Sequence, residues 1–408
     1  MSSYQGRTEC IDASVGGNGS CTPSAQFRIE FLDPSDAQRS PAVWSVWRRL
    51  VETSKNPCLL YQSPEWWDHL VATEDNATLS LGVVWENCGD PVGVLPIRFA
   101  PHALTFAIKR QILLKQRVKA VSILGSLPLI PDNLMLYRAV WRDLFGRFSH
   151  CDCIRLDSVA CDSVVWGHLQ GHRRHGSTTF VYFEDGVRPF HVVELSPSFE
   201  TYLEKFSSKQ RYNLKREVKC LREHGQGVLE MLRVESEHQV ESFLAEARRV
   251  SEKSWQHARL GTRIQNGVKQ RDSLIDLARR HILRSYLLRC GGKPCAFVVG
   301  YHYRDVFHYV EVGYDPTFAR FSPGRVLLYL LLEDLSQESD VRIVNFGVGD
   351  SEYKRQFGTI HMNDASIGIW RNSFCNRVLC TSHKTFLMSR ECLKRVLRHR
   401  RVTGPGKV

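Results

Sequence analysis

The sequence predicts an α/β protein with mixed sheets, divided into two domains that pack around a cleft. Its 408 residues exceed what one ordinary core organises, and a 43% hydrophobic content is enough for two sizeable cores. Segments rich in Val, Phe and Tyr alternate along the chain with segments of helical periodicity. No internal period of about 20 to 50 residues is visible, which excludes a repeat solenoid.

The first domain is predicted over residues 27–186, after a polar lead-in of residues 1–26 that is expected to be disordered. The lead-in has no apolar core and no basic leader, so we expect a cytoplasmic protein. Residues 101–131 carry several basic residues and are expected to be less regular. The expected elements are strands at 27–32, 79–85, 92–99 and 153–157 and helices at 43–53, 65–72 and 133–148.

The second domain is predicted over residues 187–375. It is expected to begin with a strand and one long helix and to end with a strand–helix–strand unit. Its expected strands are 191–195, 286–289, 295–303, 306–314 and 342–346, and its expected helices are 198–224, 239–253, 272–284 and 323–336. Arg304 and Asp305 form the turn of a hairpin between the third and fourth of these strands.

The net charge of +12 is concentrated in the tail, residues 376–408, where nine Lys or Arg accompany one acid, Glu391. Leu387, Leu393, Val396 and Leu397 give the tail helical periodicity. It is interpreted as an amphipathic helix that lies on the protein, on anionic lipid or on RNA. A solvated helix docked by its apolar side explains the same pattern.

The 13 cysteines include no CxxC pair, and no nearby set of Cys and His has the spacing of a zinc site. The sequence therefore predicts no metal site. Reduced thiols packed as small hydrophobic side chains explain an odd number of cysteines in a protein expected in the cytoplasm.

The stretch from Ala296 to Gly358 carries the pattern most typical of a site. A strand leads to Ser322, Pro323 and Gly324, which predict a helix N-terminus with free N–H groups that attract anions. The next strand runs into two glycines, Gly347 and Gly349, followed by several polar residues. This order of strand, anion-accepting helix, strand and polar turn is typical of an enzyme that transfers a group.

Three segments resemble the acyltransferases of the GNAT superfamily, in the two-domain branch that includes FemAB-like and CelD-like proteins. They are GYDPTFARFSPG (313–324), FGVGDSEYKRQFG (346–358) and FSSKQRYNLKREVKCLREHG (206–225), and the weaker resemblance spans residues 27–370. The resemblance implies a tandem GNAT-like N-acyltransferase fold. It also implies transfer of an acyl or aminoacyl group to an amine or hydroxyl of a polysaccharide or cell-envelope precursor.

The resemblance implies that no cofactor is bound permanently and that the acyl donor is a co-substrate. Of the superfamily's pyrophosphate-binding pattern, Q/R-x-x-G-x-G/A, residues 321–326 keep Gly324. Both acyl-CoA and aminoacyl-tRNA therefore stay open as donors. The residues expected to bind the donor are Arg320, Ser322, Gly324 and Arg325.

The resemblance also assigns catalytic roles. Glu311, or alternatively His308, is the candidate base on a strand whose backbone N–H groups polarise the acyl carbonyl. Lys354 is expected to neutralise a developing oxyanion or a phosphate, Asp350 to orient the acceptor amine and Tyr353 to act as general acid. Asp350 and Lys354, four residues apart, are also compatible with a purely structural ion pair on a helix.

One face of the helix at 198–224 is basic and is expected to form a wall facing a phosphate-bearing substrate. The residues expected to bind substrate are Lys209, Arg211 and Lys215. A solvated amphipathic face explains the same charges. A competing function is a non-catalytic, degenerate GNAT module that binds tRNA or an anionic membrane. No motif points to DNA, and no aromatic RNA-stacking signature is present.

Overall fold

The structure, a computed structural model, describes residues 27–402 except 39, 55, 76, 87–88, 109–110, 171–177, 254–263 and 265–266. For residues 394–402 it describes the backbone only. The expected disordered lead-in, residues 1–26, lies outside the described residues.

The described residues form one twelve-stranded sheet with the order β1-β2-β3-β4-β5-β12-β6-β11-β10-β9-β8-β7. The strands are β1 Phe27–Leu32, β2 Thr78–Glu86, β3 Pro91–Ile108, β4 Gln111–Ile123, β5 Cys153–Ala160, β6 Thr179–Glu194, β7 Leu229–Val234, β8 Ser285–Cys290, β9 Lys293–Tyr303, β10 Val306–Tyr314, β11 Ile343–Val348 and β12 Ile360–Arg371.

The sheet consists of two related halves. In the first half, β1 to β4 are antiparallel neighbours and β4 pairs with β5 in parallel. In the second half, β7 to β10 repeat that plan and β10 pairs with β11 in parallel. The two halves exchange their sixth strands, because β6 lies beside β11 and β12 lies beside β5. The expected boundary between residues 186 and 187 falls inside β6.

Helices cover both faces of the sheet. They are α1 Pro34–Gln38, α2 Pro41–Thr53, α3 Pro64–Thr73, α4 Leu134–Arg147, α5 Val164–Gln170, α6 Phe199–Leu203, α7 Ser208–His224, α8 Glu237–Lys253, α9 Val268–Arg279, α10 Pro323–Ser336, α11 Glu352–Phe357 and α12 Phe374–Val402. On β9, Ala296 and Val298 belong to the core under α7 and α10. Phe297 and Val299 belong to the core under α8 and α9. Strands that are buried on both faces fit an α/β protein.

The helix predicted at 198–224 is wrong as a single element. It is divided into α6 and α7, because Ser207 begins a new helix with a capping box: its hydroxyl accepts from Gln210 N and the Gln210 side chain accepts from Ser207 N. The helix predicted at 272–284 ends at Arg279. Ile282 and Leu283 continue instead as extended, buried residues that lead into β8.

Residues 101–131 are also more regular than predicted. Strand β3 continues to Ile108 and returns through β4, so residues 100–108 and 111–119 form a two-stranded ribbon beyond the sheet. Three of the basic residues of this stretch, Lys115, Arg117 and Lys119, are exposed on β4. Among the described residues, no helix is both long and apolar enough to cross a membrane.

Candidate active site

A cavity of about 910 Å³ opens where two parallel strands separate. Strands β10 and β11 pair only from Val306 to His308, opposite Ile343 to Asn345. Beyond these residues, the edge of β10 that faces β11 has no partner strand. Val310 is an extra residue in the register with β9, and such a bulge bends a strand. The cavity is therefore formed by the backbone as well as by side chains.

Both halves of the molecule line this cavity. Its lining residues are Cys58, Tyr61, Trp66, Leu124, Gly125, Asp157, Ser158, Phe190, His308, Tyr309, Val310, Val312, Asn345, Phe346, Gly347, Val348, Gly349, Asp350, Ser351, Tyr353 and Lys354. The first seven belong to the first half, and the residues from His308 onward belong to the second. The cavity therefore corresponds to the predicted cleft between two domains.

A glycine turn after β11 places the polar residues at the cavity. Gly347 and Gly349 have φ angles of +68° and +103°, a conformation that glycine adopts without steric cost. Asn345 fixes the start of the turn, because its Oδ1 accepts from Gly347 N at 2.7 Å and its Nδ2 donates to Pro57 O at 2.8 Å. These bonds connect the turn to the first half of the molecule.

Lys354 points its ammonium back into this turn. Its Nζ donates to Val348 O at 2.9 Å and lies 3.4 Å from Gly347 O. Burial lowers the pKa of Lys354 to about 8, and the carboxylate of Asp350 offsets part of that shift. Asp350 forms its ion pair with Arg355 instead, so the structural pair considered for Asp350 and Lys354 is not formed.

Asp350 also connects to a pair of histidines. Its Oδ1 lies 3.4 Å from Nε2 of the buried His191, whose Nδ1 is 2.8 Å from Nδ1 of His361. Burial and the neighbouring His361 lower the pKa of His191. The Asp350 carboxylate, which lines the cavity, thus pairs with the Arg355 guanidinium and lies near the His191 imidazole.

Tyr353 lies among aromatic rings, 6.2 Å from the ring centroid of Tyr309 and 5.8 Å from that of Phe346. Burial raises the pKa of Tyr353, so the phenol keeps its proton at neutral pH. A group that stays protonated is able to donate a proton to a leaving group.

The two candidate bases occupy different places on β10. Val310 and Val312 line the cavity, whereas Glu311 between them is not one of its lining residues. His308 lines the cavity and is buried, and burial lowers its pKa to about 3. His308 is thus a neutral, buried imidazole whose Nε2 makes no hydrogen bond among the described residues.

Comparison with known proteins connects this geometry to a family. The acetyltransferase (GNAT) domain family matches residues 208–355, from the start of α7 to α11. The crystal structure of FemX superposes with a TM-score of 0.55 at 11% identity, covering 83% of this chain and 98% of FemX. A conserved protein of unknown function from Bacteroides thetaiotaomicron superposes with a TM-score of 0.50 at 12% identity, covering 84% of this chain and 100% of that protein. No curated protein sequence matches the chain.

Residues 208–355 therefore match the acetyltransferase (GNAT) domain family, and the chain as a whole has a fold similar to that of FemX. The mixed α/β fold class predicted from the sequence is confirmed. The separated strands β10 and β11, with the intervening helix α10, lie within the matched GNAT domain.

The residues expected to bind the donor lie at the end of β10, and none of them is among the lining residues of the cavity. Ser322 precedes α10 as expected, but its backbone is left-handed (φ 53°) and its side chain makes no capping hydrogen bond, so its predicted capping role is wrong. A Cβ at Gly324 would approach only Tyr314, at 3.6 Å, which leaves the helix start accessible. Arg320 stacks on the Phe321 ring, while Arg325 pairs with Glu217 on α7 at 3.3 Å.

The basic residues of α7 lie outside the main cavity. Lys209 and Lys215 are exposed, and Arg211 Nη2 lies 3.4 Å from Ser208 Oγ. A smaller cavity of about 420 Å³ adjoins the same helix of the GNAT domain. It is lined by Gln210, Asn213, Arg325, Glu352, Arg355 and Gln356.

The structure adds a polar cluster that the sequence analysis missed. The Ser158 hydroxyl, which lines the cavity, donates to Oδ2 of the buried Asp364 at 2.5 Å and lies 3.8 Å from Cys58 Sγ. Burial raises the pKa of Asp364 to about 6 and that of Cys58 to about 11. Oδ1 of Asp364 has no partner among the described residues. The three residues are far apart in sequence, and no motif links them.

Proposed function

We propose that the protein is an acyltransferase that moves an acyl or aminoacyl group to an amine or hydroxyl of a polysaccharide or cell-envelope precursor. The observation that carries this proposal is the ammonium of Lys354, which is held by two backbone carbonyls at the cavity between β10 and β11. A fixed cation in a partly dry cavity stabilises charge that develops on a reacting oxygen.

The anionic part of the donor would bind at the start of α10, near Arg320, Ser322, Gly324 and Arg325, since the helix dipole favours anions at an N-terminus. The acyl group would then follow β10 into the cavity. There, the unpaired edge of β10 offers N–H groups to the carbonyl. Acyl-CoA and aminoacyl-tRNA are both proposed as donors, because both molecules carry phosphate groups and an activated acyl group.

The acceptor would approach from the side of the first half, where Tyr61, Trp66 and Ser158 form the opposite wall. Asp350 would orient its amine or hydroxyl. Attack on the acyl carbon forms the new C–N or C–O bond and breaks the bond to the donor's sulfur or oxygen. Tyr353 would protonate that leaving group.

Glu311 stays the proposed base for the acceptor's proton, although its side chain does not line the cavity in the free protein. Catalytic hydrogen bonds often form only when substrate is bound, so its position does not rule it out. His308, with its pKa lowered to about 3, fits a hydrogen-bonding group for substrate better than a base. A variant with Glu311→Gln should lose the acidic limb of the pH–rate profile.

The exposed Lys209 and Lys215 and the half-buried Arg211 are proposed to contact a phosphate-bearing substrate from α7. A polysaccharide or envelope precursor carried on a lipid phosphate fits such a wall and places the protein in the cytoplasm, at the surface of the inner membrane. The basic helix α12 is proposed to contribute to the same membrane contact.

A thiol-release assay with a panel of acyl-CoA donors, run beside charged tRNA and with amine and sugar acceptors, tests the proposal. Acceptor-dependent release of thiol or of free tRNA, abolished by Lys354→Met, is the expected result. Binding of tRNA or lipid without turnover of any donor would favour the alternative, a non-catalytic GNAT module.

A further inference from the structure

The ribbon, residues 100–108 and 111–119, carries four exposed aliphatic side chains at its end. Ile108 is 40% exposed, Ile112 55%, Leu113 57% and Leu114 51%. These four residues are named the ribbon tip. Large aliphatic side chains rarely lie together at the surface of a protein, and contiguous apolar patches mark interaction sites.

The base of the ribbon is fixed to the body of the protein. Leu104 and Val118 are buried in a small core with Trp370 and Cys380. Helix α12 packs beside the base, with the ring of Phe386 5.4 Å from that of Phe106. The ribbon tip therefore lies at the end of a supported structure.

Hydrogen bonds join the ribbon to α12. The Tyr182 hydroxyl donates to His383 Nδ1 at 2.6 Å, and His383 Nε2 donates to Thr105 O at 3.3 Å. Arg390 Nη1 lies 3.4 Å from Ala107 O, one residue before the tip. The apolar tip and the basic helix therefore form one surface.

The charge around the tip has one sign. Residues 101–120 contain five Lys or Arg and no Asp or Glu. On β4, Lys115, Arg117 and Lys119 are exposed. The sequence of the tail, residues 376–408, contains nine Lys or Arg and one acid, and among the described residues His383, Phe386 and Arg390 of α12 contact the ribbon. An apolar tip surrounded by cations is complementary to the surface of an anionic lipid bilayer, whose headgroups attract the cations and whose acyl region accepts the aliphatic groups.

The exposure pattern favours a bilayer over a protein or RNA partner. All residues from Gln111 to Arg117 are exposed, and successive side chains of a strand point to opposite faces. A rigid partner covers one face of such a ribbon, whereas a fluid apolar layer surrounds both. Single-stranded RNA binds to aromatic stacking platforms, and the tip presents only aliphatic side chains.

We propose that the ribbon tip inserts into the interface of an anionic membrane, with the cations of the ribbon and of α12 on the headgroups. This surface lies apart from the cavity at Lys354 and does not depend on acyl transfer. It is a second, apolar element of membrane binding beside the electrostatic attraction proposed for the basic tail.

The test measures partitioning of the full chain into sedimented vesicles of phosphatidylcholine, with and without phosphatidylglycerol, over a salt series. The tip variant is Leu113→Ser with Leu114→Ser. The matched control is Val268→Ser, an aliphatic residue that is 65% exposed at the start of α9. We expect the partition coefficient of the tip variant into anionic vesicles to fall by at least about tenfold. The control should partition like wild type. A charge variant, Lys115→Gln with Arg117→Gln, should flatten the salt dependence.

Several results would overturn the proposal. One is a wild-type chain that stays in the supernatant with both kinds of vesicle, and another is a tip variant that binds as well as wild type. Sedimentation velocity provides a third. If the wild-type chain is a dimer and the tip variant is a monomer, the tip forms a contact between two copies of the chain. The surface would be assigned to RNA if the wild-type chain binds tRNA but no vesicles. In that case, the charge variant would lose tRNA binding and the tip variant would keep it. Melting temperatures of all variants exclude unfolding as the cause.

Discussion

Replacing Lys354 by Met tests the proposed site most directly, because a second lysine provides a matched control. Lys205 Nζ also donates to two backbone carbonyls, Phe357 O at 2.8 Å and Gly358 O at 2.5 Å. Burial lowers the pKa of Lys205 to about 8, as it does for Lys354. The two ammonium groups therefore have similar surroundings, but Lys354 lines the cavity and Lys205 does not.

The expected effects on stability are alike for the two variants. Each substitution removes charge-assisted hydrogen bonds to two carbonyls, and each also relieves the cost of a partly buried charge. We expect the free energy of unfolding to fall by about 1–2 kcal/mol in Lys354→Met and in Lys205→Met. Denaturant unfolding of both proteins measures this change.

The expected effects on turnover differ. If Lys354 stabilises charge only in the transition state, Lys354→Met should lower kcat by about 100- to 1,000-fold, or about 2.7–4 kcal/mol of activation free energy, while donor binding changes little. Lys205→Met should stay close to wild type. The wild-type rate should also fall as the pH rises through about 8, because the ammonium then loses its proton. A Lys354→Met enzyme with near-normal turnover, or equal losses in both variants, would refute the reasoning.

Three further predictions address other groups. Asp350→Asn should raise the KM of the acceptor more than that of the donor if the carboxylate orients the acceptor amine, and steady-state kinetics with both substrates varied measures this. Burial raises the pKa of Asp364 from its ordinary value to about 6, so the folded state binds more protons than the unfolded state and the wild-type stability falls as the pH rises through this window. Asp364→Asn should remove that slope and stabilise the protein at neutral pH by up to about 3 kcal/mol; an unchanged slope in urea unfolding would contradict it. Deleting residues 390–408 should weaken binding to anionic vesicles or tRNA and flatten its salt dependence, and unchanged binding across the salt series would leave the tail as solvated structure.

Much of the second half was predictable from sequence because its signals are local. Turn residues at Arg304 and Asp305 separate two strands, and Pro323 marks the helix start, so the predicted hairpin and helix agree with β9, β10 and α10. The glycine turn was also visible, since Gly347 and Gly349 adopt the positive φ angles that make glycine necessary.

The errors arose where local and tertiary signals compete. The ribbon was predicted to be a less regular stretch. Its strands are stabilised by packing of Leu104 and Val118 against residues of β6, β12 and α12, which lie far along the chain and leave no local signal. Continuous helical periodicity from 198 to 224 concealed the break that Ser207 creates by capping. The role of Glu311 as a base stays a prediction; the extra residue Val310 on β10 lies between Tyr309 and Glu311, and Val310 and Val312 line the cavity whereas Glu311 does not.

The exchange of β6 and β12 between the two halves explains why the residues that line the cavity could not be predicted from the sequence. Asp364 is on β12, beyond the end of the GNAT match at residue 355, yet β12 pairs with β5, and this pairing brings Asp364 to Ser158. Phe190, on the exchanged strand β6, lines the cavity from the other side of the junction. The cavity walls therefore depend on pairings between strands about 150 to 220 residues apart, to which local propensity makes no contribution. The segment that matches the GNAT domain family contains the separated strands and Lys354. The first half closes the cavity because the exchanged strands join both halves in one continuous sheet.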